Sequence, residues 1–149
     1  MRHRPGAFAA LILLSGWPLC ASATTDDGRV TATVRDLRSE RGQVLACLTT
    51  QPAAFPDCTS DPDARKLKVP AARVVELDFG IVPEGRYAIS LIHDENGNGK
   101  LDTRLMIPRE GYGFSRDAPV RMGPPKFASA AFDVTGMPQH LLIRMRYLL

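Results

Sequence analysis

The stretch RYAISLIH, residues 86–93, carries the clearest two-residue period in the chain. It follows the turn signal Val82-Pro83-Glu84-Gly85 and runs straight into HDENGNGKLD, residues 93–102. Tyr87, Ile89 and Leu91 fall on one face of an extended chain, and Ala88, Ser90 and Ile92 on the other. A period of two ending in a Gly/Asn-rich turn is the signature of a strand, not of a helix.

Similar short runs recur on both sides, separated by Gly, Pro, Asp and Asn. Val30–Val34 alternates apolar and polar, and QVLACLT at 43–49 follows after Arg38-Ser39-Glu40-Arg41-Gly42, so 29–49 reads as a hairpin. Residues 50–65 read as a loop. Further strands are expected at 66–69, 73–79, 129–134 and 141–147. No stretch shows a sustained helical period. About seven strands without helices to cover a parallel sheet predict an all-β chain, an antiparallel β-sandwich, immunoglobulin-like or transthyretin-like. Alternation alone leaves an open barrel as the alternative.

The first residues belong to a different logic. Arg2, His3 and Arg4 precede the apolar AFAALILLSGWPLC, and Ala21-Ser22-Ala23 supplies small residues for cleavage. This pattern predicts a signal peptide over 1–23 and a single mature domain over 24–149, exported to the periplasm or beyond. A lipid anchor on Cys20 would need small residues before it, where Trp17-Pro18-Leu19 stand. The whole chain carries 19 basic and 16 acidic residues; without Arg2 and Arg4 the balance is nearly even. No clustered basic face argues for nucleic acid. No segment beyond residue 23 is long and apolar enough to span a membrane. Two cysteines remain, Cys47 and Cys58, and an even pair in an exported chain reads as a structural disulfide.

HDENGNGKLD resembles part of a calcium loop. Asp94, Asn96 and Asn98 take the first, third and fifth positions, Gly99 the sixth, the Lys100 carbonyl the seventh and Asp102 the ninth. A hard cation of this size wants oxygen ligands at alternate positions around a sharp bend. Leu105 stands where a bidentate Glu belongs, and no helices flank the loop, so any calcium binding would be weak. Glu110 would supply the missing carboxylate if the following segment folded back. The equally physical alternative is a loop held by its own Asx-type hydrogen bonds, with no ligand.

Residues 103–128 show no convincing strand, and a loop that long usually has a reason. Tyr112 and Phe114 sit there among Arg109 and Arg116, a set suited to a protein, glycan or anionic small-molecule partner; the alternative is that the two rings plug the end of the sandwich. His93 is out of phase with Asp94, as neighbours on a strand point to opposite faces. Ser115 is the only serine in the long loop, and no spacing supports a catalytic triad with it. The chain therefore reads as a binding module, not an enzyme, with a purely structural envelope protein as the alternative and a hydrolase using His93 as the remote one.

The order RGQVLACL, FPD, GRYAISLIHDENGNGKLD, IPREGYGFS and GPPKFASAAF resembles the small exported bacterial proteins grouped as domain of unknown function 2141, over about residues 29–147. The resemblance implies a fold and export but no reaction, and the cysteine pair is not attributed to it.

Overall fold

The computed structural model describes residues 28–149, so the signal peptide expected over 1–23 lies outside the described residues. The chain is all β, arranged as two facing sheets. One sheet has the order β10-β1-β4, built from β1 (Arg29–Arg35), β4 (Val75–Ile81) and β10 (Gln139–Arg144). The other has the order β3-β2-β5-β8, built from β2 (Gln43–Thr49), β3 (Arg65–Pro70), β5 (Gly85–Asp94) and β8 (Gly111–Phe114). The short β9 (Phe132–Val134) pairs with the start of β5. A separate two-stranded ribbon, β6 (Thr103–Arg104) and β7 (Ile107–Pro108), stands off the body.

Strand alternation explains the layers. Val30, Ala32 and Val34 of β1, Leu77 and Phe79 of β4, and Ile143 of β10 face Val44, Ala46 and Leu48 of β2 and Ile89 and Leu91 of β5 across one core. The other face of the first sheet is polar: the Thr33 hydroxyl donates to the Glu76 carboxylate and lies 3.1 Å from His140 Nε2 across the strands. The second sheet is covered on both faces, which is why β5 is buried on both sides from Tyr87 to Leu91. Its outer face holds a smaller cluster of Ala88, Tyr112, Phe114, Ala118 and Ala130, closed by Phe55 and Phe127.

Two expectations need correction. The stretch 29–49 is not a hairpin: β1 pairs with β4 and β10, while β2 pairs with β3 and β5. Asp36, at φ 64°, turns the chain out of the first sheet, and the linker carries it to the second. The β-sandwich itself is as expected, its strand pairings antiparallel except for the parallel β1–β10. Residues 127–130 form a single helical turn (Phe127–Ala130), where a strand was expected from 129. The sheets also touch at one edge, because Tyr112 and Arg146 exchange backbone hydrogen bonds of 3.0 and 2.9 Å.

Cys47 and Cys58 form a disulfide with their Cα atoms 6.5 Å apart. It pins the 50–64 loop, and with it Phe55, over the outer face of the second sheet. Among the described residues no helix is long and apolar enough to cross a membrane.

Candidate functional site

One end of the sandwich gathers the chemistry. β5 delivers His93 and Asp94 there, both fully buried. Asp94 lies opposite Gln43 in the ladder, and the Gln43 amide donates to its Oδ2 at 2.6 Å. The backbone N–H groups of Gly97 and Asn98 donate to Oδ1, and that of Gly99 donates to Oδ2. Burial pushes the Asp94 carboxyl up, but the Gln43 amide and the three backbone donors together outweigh it and hold the group below its ordinary range. Asp94 thus organises the turn from inside. Gly42 backs onto it: at φ 73°, it leaves no room for a Cβ against the Asp94 carbonyl oxygen.

The alternate positions repeat the same bond. Asn96 Oδ1 accepts from the Asn98 N–H, and Asn98 Oδ1 from the Lys100 N–H, each at 3.0 Å. The amides of Asn96 and Asn98 donate to the two oxygens of Asp102 at 2.6 and 2.9 Å. Glu110 folds back onto the loop, its Oε1 accepting the Glu95 N–H and its Oε2 the Asp102 N–H, both at 3.0 Å. Among the described residues none of Asp94, Asp102 and Glu110 is ion-paired. Nor do any three His, Cys, Asp or Glu side chains among the described residues converge in metal-holding geometry.

Beside the loop lies a cluster that sequence reasoning missed. The Arg38 guanidinium grips Glu95 through Nε and Nη2, donates to the Arg109 carbonyl at 2.9 Å, and stacks 4.6 Å from the Tyr147 ring centroid. Ser39 adds a 2.7 Å bond to Glu95. Arg38, with burial opposing it and Ser39 helping, brings the Glu95 carboxyl down to about 2. Arg41 stands 3.7 Å from the same carboxylate. Arg38, Arg41, Arg104 and Arg109 line an open cleft of about 550 Å³ with Glu95 and Asp102. These partners come from distant parts of the chain, so no local motif signals them.

His93 is committed to structure. Its Nε2 faces the Arg41 carbonyl at 2.9 Å, which can only accept, so Nε2 carries the proton. Its Nδ1 lies 2.7 Å from the Tyr147 hydroxyl, which also accepts the Arg38 N–H at 3.0 Å. Gly111 makes this reach feasible, since a Cβ there would press into the Tyr147 ring.

Other expected site residues separate. Tyr112 and Phe114 are interior, packed with Phe55 and Ala118, so the expected ligand-facing aromatic pair is corrected to a plug of the second core. Arg116 is exposed, but its Nη1 bonds the Ala131 carbonyl and holds the chain turn. Ser115 is buried, with its hydroxyl between Ile89 and Ala130. Arg109 and Lys100 remain at the surface.

Fold and site define a small two-sheet β domain with a carboxylate-centred loop at one end. The chain belongs to the family of uncharacterized proteins conserved in bacteria, domain of unknown function 2141, whose model matches residues 32–141. Searches of curated proteins and of solved structures give no significant match.

Proposed function

We propose that this chain is an exported binding module, not an enzyme, whose working surface is the loop end of the sandwich, and that the 94–102 loop takes up calcium weakly. The observation that carries it is the return of Glu110, which brings a third carboxylate to a loop already holding Asp94 and Asp102, none of them ion-paired among the described residues. Asn96 and Asn98 would add neutral oxygens, and the Lys100 carbonyl another. Calcium binding requires Asp102 to let go of the two asparagine amides, which is consistent with the weak affinities of extracellular sites. Export is supported by the N-terminal pattern and by the disulfide. Against catalysis, both His93 nitrogens and the Ser115 hydroxyl are occupied inside the core.

A purely structural loop is favoured by a different observation: every carboxylate oxygen of Asp94, Asp102 and Glu110 already accepts an N–H. Thermal melts in millimolar calcium and in chelator separate the two. A calcium-dependent rise in midpoint, lost in Asp102→Asn, is expected for the binding module; an unchanged midpoint would leave the loop self-held.

A further inference from the structure

The ribbon β6–β7 ends in a two-residue tip, Leu105-Met106, at φ 51° and 66°. Consecutive left-handed residues at a hairpin tip call for Asn-Gly or Asp-Gly, since side chains with a Cβ and bulk are disfavoured there. Here the two positions carry large apolar side chains that are 88% and 94% exposed, with Ile107 also open to solvent. The tip is thus both conformationally strained and apolar in water, and neither property helps the fold.

Arginines bracket it. Arg104 immediately precedes the tip and Arg109 follows Pro108; both are exposed, and neither side chain has an ion-pair or hydrogen-bond partner among the described residues. Both also line the open cleft beside Arg38 and Arg41.

We propose that Leu105 and Met106 enter the interfacial region of an anionic phospholipid bilayer while Arg104 and Arg109 bind the phosphates at headgroup level. Shape decides for a bilayer over a protein. A stable protein interface buries about 800 Å² on each partner, and a convex two-residue tip has no flat apolar surround to provide it. A bilayer interface accepts a small apolar insertion provided basic groups remain at the phosphates, and long arginine stems reach back to them. The proposal rests on the loop end being the working surface, but not on calcium.

The test is vesicle co-sedimentation of the chain from Thr24 onward, which omits the N-terminal apolar stretch and keeps the whole two-sheet core. Chelator is present throughout, so a failure here and a failure of calcium binding are independent. The protein should pellet with phosphatidylglycerol-containing vesicles, weakly in high salt, and not with phosphatidylcholine alone. Leu105→Asn with Met106→Gly suits the turn, so its melting midpoint should hold or rise while vesicle affinity falls about tenfold or more. Arg104→Gln with Arg109→Gln should weaken binding about twenty-five-fold, taking roughly 1 kcal/mol per arginine as about fivefold each. No pelleting of the wild-type chain, equal pelleting with phosphatidylcholine, or an unaffected Asn-Gly variant would each overturn the proposal. So would tip-dependent capture of a protein without vesicle binding.

Discussion

His93 Nδ1 and the Tyr147 hydroxyl lie 2.7 Å apart, joining the end of β5 to the segment after β10 across 54 residues of sequence. The same hydroxyl accepts the Arg38 N–H, and the ring lies under the Arg38 guanidinium. Burial pushes the Tyr147 hydroxyl up from its ordinary value, so it stays protonated and able to donate to His93.

Tyr147→Phe keeps the ring and its stacking but strands a buried nitrogen of His93 and the Arg38 N–H. The expected loss is about 1–3 kcal/mol, the cost of leaving buried polar groups unpaired. Urea unfolding of the two proteins measures it. Indistinguishable midpoints would mean that water replaces the hydroxyl and that the His93–Tyr147 bond holds nothing together.

Acid should loosen this end first. Glu95, brought down to about 2 by Arg38, has a folded value below its unfolded one near 4.5. Its contribution is therefore complete above about pH 4.5 and is lost as pH falls through that range toward 2. Arg38 is partly solvent-exposed, so screening reduces the contribution to about 1–2 kcal/mol. Asp94, also lowered, acts with the same sign. Glu95→Gln should flatten the fall in stability between pH 5 and pH 3, by about that range of energies; a curve parallel to wild type would remove Glu95 from the account.

Alternation along the chain was enough to locate β2, β3, β4 and β5, because each presents a period of two to a core. Pairing partners were not legible. Strands β1 and β2 are adjacent in sequence and each carries an apolar face, and nothing local says that Asp36 will send them to different sheets. Strand β8 escaped notice because Gly111 and Gly113 remove the side chains that would show a period; Gly111 has no Cβ because Tyr147 needs its space. The oxygen-rich loop and the possible return of Glu110 were visible as residue types at set spacings. The grip of Arg38 on Glu95 was not, since 57 residues separate them. Tyr112 and Phe114 were visible as aromatic residues, but their burial depends on Phe55, which the disulfide loop brings in from another part of the chain.

Glu110→Gln tests whether the returning carboxylate holds the loop. A carboxylate accepts from the Glu95 and Asp102 N–H groups with one oxygen each. A glutamine has one such oxygen, and its NH₂ would face the remaining N–H donor to donor. Amide hydrogen exchange at Glu95 and Asp102 should speed up by about tenfold, for a loss of roughly 1.4 kcal/mol in local opening, while exchange in the core strands β2 and β5 stays close to wild type. Uniform acceleration across β5 would instead make Glu110 part of the global fold.

The disulfide has the largest single effect expected. Cys47 lies in β2, and Cys58 sits in the loop that carries Phe55 onto Phe114 and Phe127. Closing so short a loop removes unfolded-state entropy worth about 3 kcal/mol in the chain-entropy model. Opening it frees Phe55 as well, exposing the outer face of the second sheet and loosening the covering over Tyr112 and Phe114. Reductant, or Cys47→Ala with Cys58→Ala, should therefore lower the melting midpoint and increase binding of a hydrophobic dye, because the small second core is uncovered before the main one. The first core has its own closure through β1, β4 and β10 and should retain its strand signal at temperatures where the dye already binds. A reduced protein with the same midpoint and no added dye binding would show that the 50–64 loop is held by Phe55 packing alone, and that the bridge contributes nothing to the folded state's advantage.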